Sequence, residues 1–84
     1  MRKSIHTAHY EAVRKRLIEM RKAAGLTHRE LAARLKREHS FVWRIEQGER
    51  RLDVVEFFWV CRALGQEPAR VYSELAREFL AAEK

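Results

Sequence analysis

The length, composition and charge of the chain restrict what kind of protein it can be. Its 84 residues match the size of one folded domain, and 46% of them are hydrophobic, as in ordinary globular proteins. The longest apolar run, residues 57–61, is far shorter than the roughly 20 residues that a membrane-spanning helix needs, and we expect no secretory leader. The single cysteine, Cys61, excludes an internal disulfide framework and favours the reducing cytoplasm.

The net charge of +6 is distributed unevenly along the sequence. Residues 1–51 hold 14 Lys and Arg against 6 Asp and Glu, whereas residues 52–84 hold 4 against 6. A strongly basic portion joined to a mildly acidic one favours a surface that faces a polyanion. The alternative is a solvated basic surface that has no partner.

The predicted elements are all helices, because apolar residues recur at helical spacing and no segment alternates as a half-buried strand would. Capping boxes at Thr27–Glu30 and Asp53–Glu56 mark two helix starts, and Gly25, Gly48 and Gly65 mark three helix ends. The predicted helices span about residues 7–24, 27–35, 39–46, 53–64 and 67–83. We therefore expect residues 1–84 to form one all-α domain, a compact five-helix fold.

The second and third helices, with the short turn between them, predict a helix-turn-helix over about residues 27–47. With Val42 and Ile45 facing the second helix, four side chains share the opposite face of the third helix at positions i, i+1, i+4 and i+5. They are His39, Ser40, Trp43 and Arg44. Such a face suits a helix laid in the major groove of DNA, so we predict that these residues contact bases. For Arg44 the alternatives are a phosphate contact or a solvated side chain.

Around these helices the sequence resembles a known family. The residues that carry the resemblance are Met20-Arg-Lys-Ala-Ala-Gly-Leu-Thr27, Glu30-Leu-Ala-Ala-Arg-Leu35, Ser40-Phe-Val42, Ile45-Glu46, Gly48-Glu-Arg-Arg-Leu-Asp53 and Ala63-Leu-Gly65. From about Leu17 to Val71 the chain is similar to the Cro/C1-type, phage-repressor-like helix-turn-helix transcriptional regulators. The resemblance implies a five-helix domain that binds double-stranded DNA, usually as a homodimer on a roughly palindromic operator.

Four positions depart from the pattern of this family. His28 and His39 stand where glutamine is frequent, Lys36 stands in the turn where glycine is frequent, and Trp43 replaces a small or polar residue. Imidazole lacks the bidentate fork with which glutamine grips adenine, so the family's base preference does not transfer. Lys36 must either adopt an unusual backbone conformation or shift the turn. Trp43 either contacts thymine methyls and sugars or folds over the third helix and covers Phe41.

Further residues are predicted to position the domain on DNA by contacting its phosphates, which carry no sequence information. They are His28, Arg29, Lys36, Arg37, Gln47, Arg50 and Arg51. The resemblance also implies a structural ion pair between Arg21 and Glu46 that locks the recognition helix against the first helix. Residues 1–6 are either a flexible arm that reaches the DNA or a frayed terminus.

The fourth helix raises the question of a surface for a partner. Its expected core face comprises Val54, Phe57, Phe58, Cys61 and Leu64. Val55 and Trp59 then point outward together, and with Phe79 of the fifth helix they are predicted to form a dimer or partner surface. The alternative is that the fifth helix folds back and covers them within one chain.

No arrangement of residues points to catalysis, because the four His and one Cys lack zinc spacing and there is no phosphate loop or nucleophile triad. We expect a non-enzymatic, cytoplasmic repressor without cofactor or metal, which dimerises, places helix 39–46 in the major groove of double-stranded DNA and does not bind membranes. Two alternatives remain open. One is an antitoxin-type protein that binds a partner toxin through its C-terminal helices, and the other is a basic protein that binds RNA or acidic membranes without sequence preference.

Overall fold

The structure, a computed structural model, describes residues 7–83. Within that range it consists of five α-helices: α1 Ala8–Ala23, α2 His28–Arg34, α3 Phe41–Glu46, α4 Val54–Ala63 and α5 Pro68–Ala82. No strand occurs among these residues. The expected all-α fold of five helices is therefore confirmed, whereas the arm expected at residues 1–6 lies outside the described part of the chain.

Two reciprocal capping boxes begin α2 and α4 as the sequence predicts. The Thr27 hydroxyl accepts from the Glu30 N–H at 3.1 Å, and the Glu30 carboxylate accepts from the Thr27 N–H at 2.8 Å. Asp53 and Glu56 repeat this exchange at 2.7 and 3.1 Å. Each box satisfies two backbone donors that the first turn of a helix leaves without partners, and a cap of this kind stabilises a helix by about 1 kcal/mol.

Four helices end in the same backbone turn, in which a residue in the left-handed region follows the C-cap. After α2, the Lys36 N–H donates to the Ala33 carbonyl and the Arg37 N–H donates to the Ala32 carbonyl, both at 3.0 Å. This pair of bonds is a Schellman motif, and it places Lys36 at a φ of 56°. Glycine holds the equivalent position after α1, α3 and α4. Lys36 therefore adopts the unusual backbone conformation, and the turn does not shift.

Helix α3 begins at Phe41, so the prediction that it begins at His39 is wrong by two residues. The Phe41 N–H donates to the Glu38 carbonyl at 3.0 Å, which closes a tight turn over His39 and Ser40. The first bond of the helix itself joins the Arg44 N–H to the Ser40 carbonyl at 2.9 Å. His39 and Ser40 therefore enter the helix from a turn and are not part of its first turn of backbone.

The core lies where α1 packs against α3 and α5, α2 packs against α3, and α4 packs against α5. Its buried hydrophobic residues are Leu17, Met20, Leu31, Ala32, Phe41, Val42, Ile45, Val60, Cys61, Leu64, Val71 and Leu75. The burial of Val42 and Ile45 presses α3 against α2, as the sequence predicts. Phe41, which the sequence left without a role in the core, is 1% exposed and is among the largest fully buried side chains.

The predicted core face of α4 is wrong at two positions. Val54 and Phe58 are exposed, whereas Glu56 and Val60 are buried, so the buried stripe is rotated towards the charged residue. Val55 and Trp59 are half exposed, at 50% and 51%. The stripe includes Glu56 because arginines from other segments neutralise its carboxylate. As a result α4 presents an exposed apolar face of four residues: Val54, Val55, Phe58 and Trp59.

Candidate nucleic-acid interface

The outward side of α3 carries two large exposed side chains at its centre. Trp43 is 43% exposed and Arg44 is exposed, while the neighbouring Val42 and Ile45 are buried. Among residues 7–83 the guanidinium of Arg44 forms no hydrogen bond or ion pair. Arg44 is therefore available to a ligand. The ring of Phe41 is covered by the guanidiniums of Arg37 and Arg50.

The turn before α3 places His39 beside Arg29 of α2. Arg29 Nη2 lies 3.0 Å from His39 Nδ1, and both residues are exposed. Because a guanidinium can only donate, Nδ1 must accept in this contact, and the ring proton then sits on Nε2. The structure thus brings together one predicted base-contact residue and one predicted phosphate-contact residue. The adjacent Ser40 is half-buried and caps α3 through its backbone, without a capping bond from its hydroxyl.

The last residue of α3, Glu46, joins a buried ion pair with Arg21 of α1. Arg21 Nε lies 2.6 Å from Glu46 Oε2, and Arg21 Nη2 lies 3.0 Å from Oε1, so the pairing is bidentate. The same guanidinium donates through Nη1 to the Leu26 carbonyl at 2.8 Å. Both charged side chains are at most 10% exposed. The pair fixes the end of α3 to α1 and to the residue that precedes the cap of α2.

His28 extends this arrangement to the start of α2. Its Nε2 lies 2.8 Å from Glu46 Oε1, and its side chain is 35% exposed. Burial acts to raise the pKa of Glu46, but the hydrogen bonds from Arg21 and His28 and their charges outweigh it and hold that pKa below its ordinary value. One ring nitrogen of His28, which is a predicted phosphate contact, is therefore engaged within the protein.

Arg14 of α1 is a contact of α3 that the sequence analysis missed. Its Nε donates to the Glu46 carbonyl at 2.9 Å, and Nη2 donates to the same oxygen. The carbonyls of the last helical turn have no partner within the helix, and a cation there also opposes the helix dipole. The signal in the sequence was the position of Arg14, seven residues before Arg21, which places both arginines on the same side of α1.

A second buried carboxylate, Glu56 of α4, binds the two segments that flank α3. Arg50 donates to it from Nη1 and Nη2 at 2.9 and 2.8 Å, and Arg37 donates from Nη1 at 3.2 Å. Both guanidiniums also stack on the ring of Phe41, at 4.1 Å for Arg37 and 4.8 Å for Arg50. The bonds from Arg50 lower the pKa of Glu56 to about 2 despite its burial. These residues are here called the Glu56 cluster, which was not predicted from the sequence: Arg37, Phe41, Arg50 and Glu56.

The remaining predicted phosphate contacts lie on exposed segments around α3. Lys36 is in the turn before it, Gln47 is its C-cap, and Arg51 is in the loop that leads to α4. The structure therefore separates the seven predicted phosphate contacts into two groups. Arg37 and Arg50 are engaged by Glu56, His28 is engaged by Glu46, and these three residues are partly buried. Arg29, which meets His39, is exposed, as are Lys36, Gln47 and Arg51.

The predicted partner surface is divided between two depressions. Phe79 is only partly buried against the core and lines an apolar depression between α1, α4 and α5, here called the Phe79 groove. Its lining residues are Tyr10, Val13, Leu52, Asp53, Val54, Phe57, Tyr72, Leu75 and Phe79. Trp59 lines a different depression, here called the Trp59 cleft, formed by Arg34, Leu35, Lys36, Trp59, Arg62 and Ala63. Trp59 and Phe79 therefore line different depressions.

Residues 7–83 contain no group of three or more His, Cys, Asp or Glu side chains placed to hold a metal ion. Across the same residues, each helix is too short or too polar to cross a membrane.

Known proteins share the helix-turn-helix fold of this chain. A family model described as a helix-turn-helix domain matches residues 12–72. Among solved structures, the chain is similar to an XRE-family like protein from Pseudomonas syringae pv. tomato str. DC3000, with 49% identity and a TM-score of 0.82. The similarity covers 89% of this chain and 92% of that one. No curated relative matches the chain. The chain therefore belongs to the Cro/C1-type, or XRE, family of helix-turn-helix DNA-binding regulators.

Proposed function

We propose that the protein is a cytoplasmic, sequence-specific repressor that reads double-stranded DNA with the outward face of α3. The observation that carries this proposal is the exposed Arg44, which has no hydrogen bond or ion pair within residues 7–83. It lies beside Trp43 on a helix whose opposite side is buried. An arginine in the major groove can bind guanine O6 and N7 together, which discriminates between bases by about 1–3 kcal/mol. His39 and Ser40 enter the same groove from the turn before the helix, and Trp43 packs against thymine methyls or sugars.

Phosphate contacts are assigned to the exposed residues on either side of this helix. Arg29, Gln47 and Arg51 flank α3 in the chain or lie beside His39, so they can hold the helix in register without reading bases. His28 has its Nε2 on Glu46 and sits in the first turn of α2, where the helix dipole favours an anion. Arg37 and Arg50 are assigned a structural role, because they stack on Phe41 and pair with Glu56.

We further propose that the repressor is a homodimer whose two copies meet at the Phe79 groove. A two-fold interface places the same surface of each copy against itself, so uncompensated charge on that surface is repulsive. The Phe79 groove has one charged lining residue, Asp53, and its carboxylate is engaged in capping α4. The Trp59 cleft instead carries three cations. Exposed Val54 and Tyr72, at 81% and 56%, supply apolar area at the rim of the groove.

The test is a titration against a duplex from upstream of the protein's own gene and a scrambled duplex of equal composition, at low and moderate salt. Tighter binding to the first duplex that persists at the higher salt supports a repressor that reads sequence. Binding that is equal for both duplexes and collapses with salt would contradict it, because phosphate contacts alone behave in that way.

Variants of α3 assign this discrimination to residues. Arg44→Ala is expected to lose about tenfold of the preference for the upstream duplex, in line with one lost bidentate base contact. Arg77→Ala removes the same charge from an exposed position on α5 and should leave the preference unchanged. An equal loss in both variants would show that net charge, not base contact, is being measured.

An antitoxin-type function is the second candidate, and the exposed face of α4 favours it. Val55, Phe58 and Trp59 are each at least 44% exposed on a chain of 84 residues, and contiguous apolar surface of this kind is typical of protein interaction sites. A protein partner on this face does not exclude DNA binding by α3. The two candidates differ in whether the upstream duplex or the protein partner is bound more tightly.

A further inference from the structure

The Trp59 cleft combines positive charge with apolar surface. It has a volume of about 470 Å³ and lies between the end of α2 and the outer face of α4. Three of its six lining residues are cations, Arg34, Lys36 and Arg62, and the other three are Leu35, Trp59 and Ala63. No residue of α3 and no acidic residue lines it.

The three cations of the cleft have no carboxylate partners within residues 7–83. Arg34 donates only to the Ala63 carbonyl, at 3.1 Å, and Arg62 lies over the ring of Phe58 at 5.8 Å. Six other arginines each pair with a carboxylate of the chain: Arg14, Arg16, Arg21, Arg37, Arg50 and Arg70. The positive charge of the cleft is therefore available to a ligand, whereas those six arginines are already paired within the chain.

The chemistry of the lining selects the kind of ligand. A DNA backbone offers phosphates to the cations but no apolar side chain to place against Leu35 and half-exposed Trp59. A second copy of the chain docked by its own cleft would bring three uncompensated cations against three more, which is repulsive. An acidic protein segment that alternates carboxylates with large apolar side chains satisfies both parts of the lining.

We propose that the Trp59 cleft is a docking site for such an acidic, amphipathic segment of another protein. The apolar side chain of the segment packs on Trp59 and Leu35, and its carboxylates pair with Lys36 and Arg62. The site is separate from α3, so the segment and DNA can be bound at the same time. The proposal does not depend on the repressor function, because the cleft shares no residue with the base-reading face.

The probe for the test is a short fluorescein-labelled peptide of repeated Glu-Glu-Leu-Phe, and its fluorescence anisotropy measures binding. Two reference peptides replace every Glu by Lys, or every Leu and Phe by Ser. The protein carries Trp43→Phe, which leaves Trp59 as its only tryptophan, so indole emission reports on the cleft directly. We expect saturable binding of the first peptide only, with a shift of the Trp59 emission to shorter wavelength.

Matched variants locate the site. Arg62→Gln is expected to weaken binding by about fivefold, and Trp59→Ser by about tenfold or more, as for a charge pair and an aromatic anchor at an interface. Arg77→Gln, which removes an exposed charge outside the cleft, should leave the affinity unchanged. Arg62 and Trp59 are both exposed, so neither change should prevent folding.

Four results would overturn the proposal. Equal losses in Arg62→Gln and Arg77→Gln would mean that only net charge attracts the peptide. Equally tight binding of the Ser-substituted peptide would show that the apolar lining has no role. Displacement of the peptide by a DNA duplex that also shifts the Trp59 emission would make the cleft a phosphate site. Loss of a dimer on Trp59→Ser, seen by sedimentation, would make a second copy the occupant.

Discussion

Glu46 and Glu56 are the two carboxylates that are buried within residues 7–83, at 5% and 7% exposure. Each meets arginines: Glu46 pairs with Arg21, and Glu56 pairs with Arg37 and Arg50. A buried ion pair contributes little over a well-packed apolar pair, but a buried charge that loses its partner is strongly destabilising. Replacing one partner of such a pair should therefore destabilise the protein more than replacing both partners by apolar residues.

Replacing Arg21 by Met is expected to destabilise the protein by about 3–5 kcal/mol, because it leaves the Glu46 carboxylate buried without its bidentate partner. The double variant Arg21→Met/Glu46→Leu is expected to lose clearly less. Urea denaturation of both variants and of Glu46→Leu completes a double-mutant cycle. Additive losses would mean that the two side chains are not coupled.

The free energy of unfolding is expected to decrease as the pH is lowered, because Glu56 becomes protonated. Hydrogen bonds from Arg50 lower the pKa of this carboxyl from 4.5 to about 2 in the folded protein. Because the folded pKa is the lower one, the contribution of Glu56 is complete above about pH 4.5 and is lost as pH falls to about 2, a total of roughly 3 kcal/mol. Urea denaturation at several pH values measures this loss.

Glu56→Gln serves as the control for that acid sensitivity. The variant should be less stable than the parent at neutral pH, and its free energy of unfolding should decline less steeply towards pH 2. Part of the decline should remain, because the pKa of Glu46 is also held below its ordinary value. A decline as steep as that of the parent would assign the acid sensitivity to Glu46 and not to Glu56.

Among the helices and turns, the Schellman turn between α2 and α3 has the least suitable residue. Lys36 adopts a φ of 56°, where a side chain crowds the following carbonyl, whereas glycine fills this place after α1, α3 and α4. The turn also sets the approach to α3, since Arg37 follows directly and stacks on Phe41. Strain is therefore held next to the helix that reads DNA in the proposed function.

Lys36→Gly is accordingly expected to stabilise the protein by about 1 kcal/mol, measured as a rise in the thermal midpoint. Gly25→Ala provides the opposite case, because Gly25 has a φ of 73° and an added Cβ would meet no atom within 4 Å. That variant should lose about 1 kcal/mol from backbone strain alone. If Lys36→Gly gains nothing, the lysine side chain must make a compensating contribution.

The helices that carry clear end signals were predictable from the sequence. The ends of α1, α2, α4 and α5 lie within one residue of the prediction, because side-chain caps or positive-φ residues fix most of them. The start of α3 was not predicted, because Ser40 makes no side-chain cap and the helix starts where Phe41 is buried against two guanidiniums. That burial depends on residues far along the chain, which local pattern does not reveal.

The error on the buried face of α4 has a related cause. A glutamate in an amphipathic pattern indicates the solvated side, and so the predicted stripe avoided Glu56. Its burial requires Arg37 and Arg50, which come 19 and 6 residues earlier in the chain. The exposed side of α3 was easier to predict, since Val42 and Ile45 define its inner face by their own hydrophobicity.

At the scale of the whole molecule, the two sides of the α4 face separate the proposed dimer contact from the proposed partner site. Val54 lines the Phe79 groove, whereas Val55 lies one turn before Trp59 on the same side of the helix. Both valines are exposed in the first turn of α4, where an added carboxylate suits the helix dipole. The same substitution at each position therefore tests the two surfaces independently.

Val54→Glu is expected to weaken self-association by about tenfold or more, since it brings like charges together across a two-fold interface. Val55→Glu, with the same new charge one residue away, should leave self-association unchanged. Sedimentation equilibrium measures both. A larger effect of Val55→Glu would move the dimer contact to the side of Trp59, and a parent protein that stays monomeric at all concentrations would exclude the dimer.

The single cysteine gives the protein a natural reporter of how often its interior opens. Cys61 is 0% exposed among α4 and its neighbours, and burial raises the pKa of its thiol to about 11. Alkylating reagents attack an accessible thiolate, so the native thiol should stay unmodified until the chain opens around it. The alkylation rate should then depend on the free energy of unfolding. Compared with the parent, it is expected to rise in the less stable Gly25→Ala variant and to fall in the more stable Lys36→Gly variant. Operator DNA and a docked peptide should each slow this reaction, because each stabilises the folded state to which it binds. The alkylation rate of Cys61 therefore reports whether either surface is occupied.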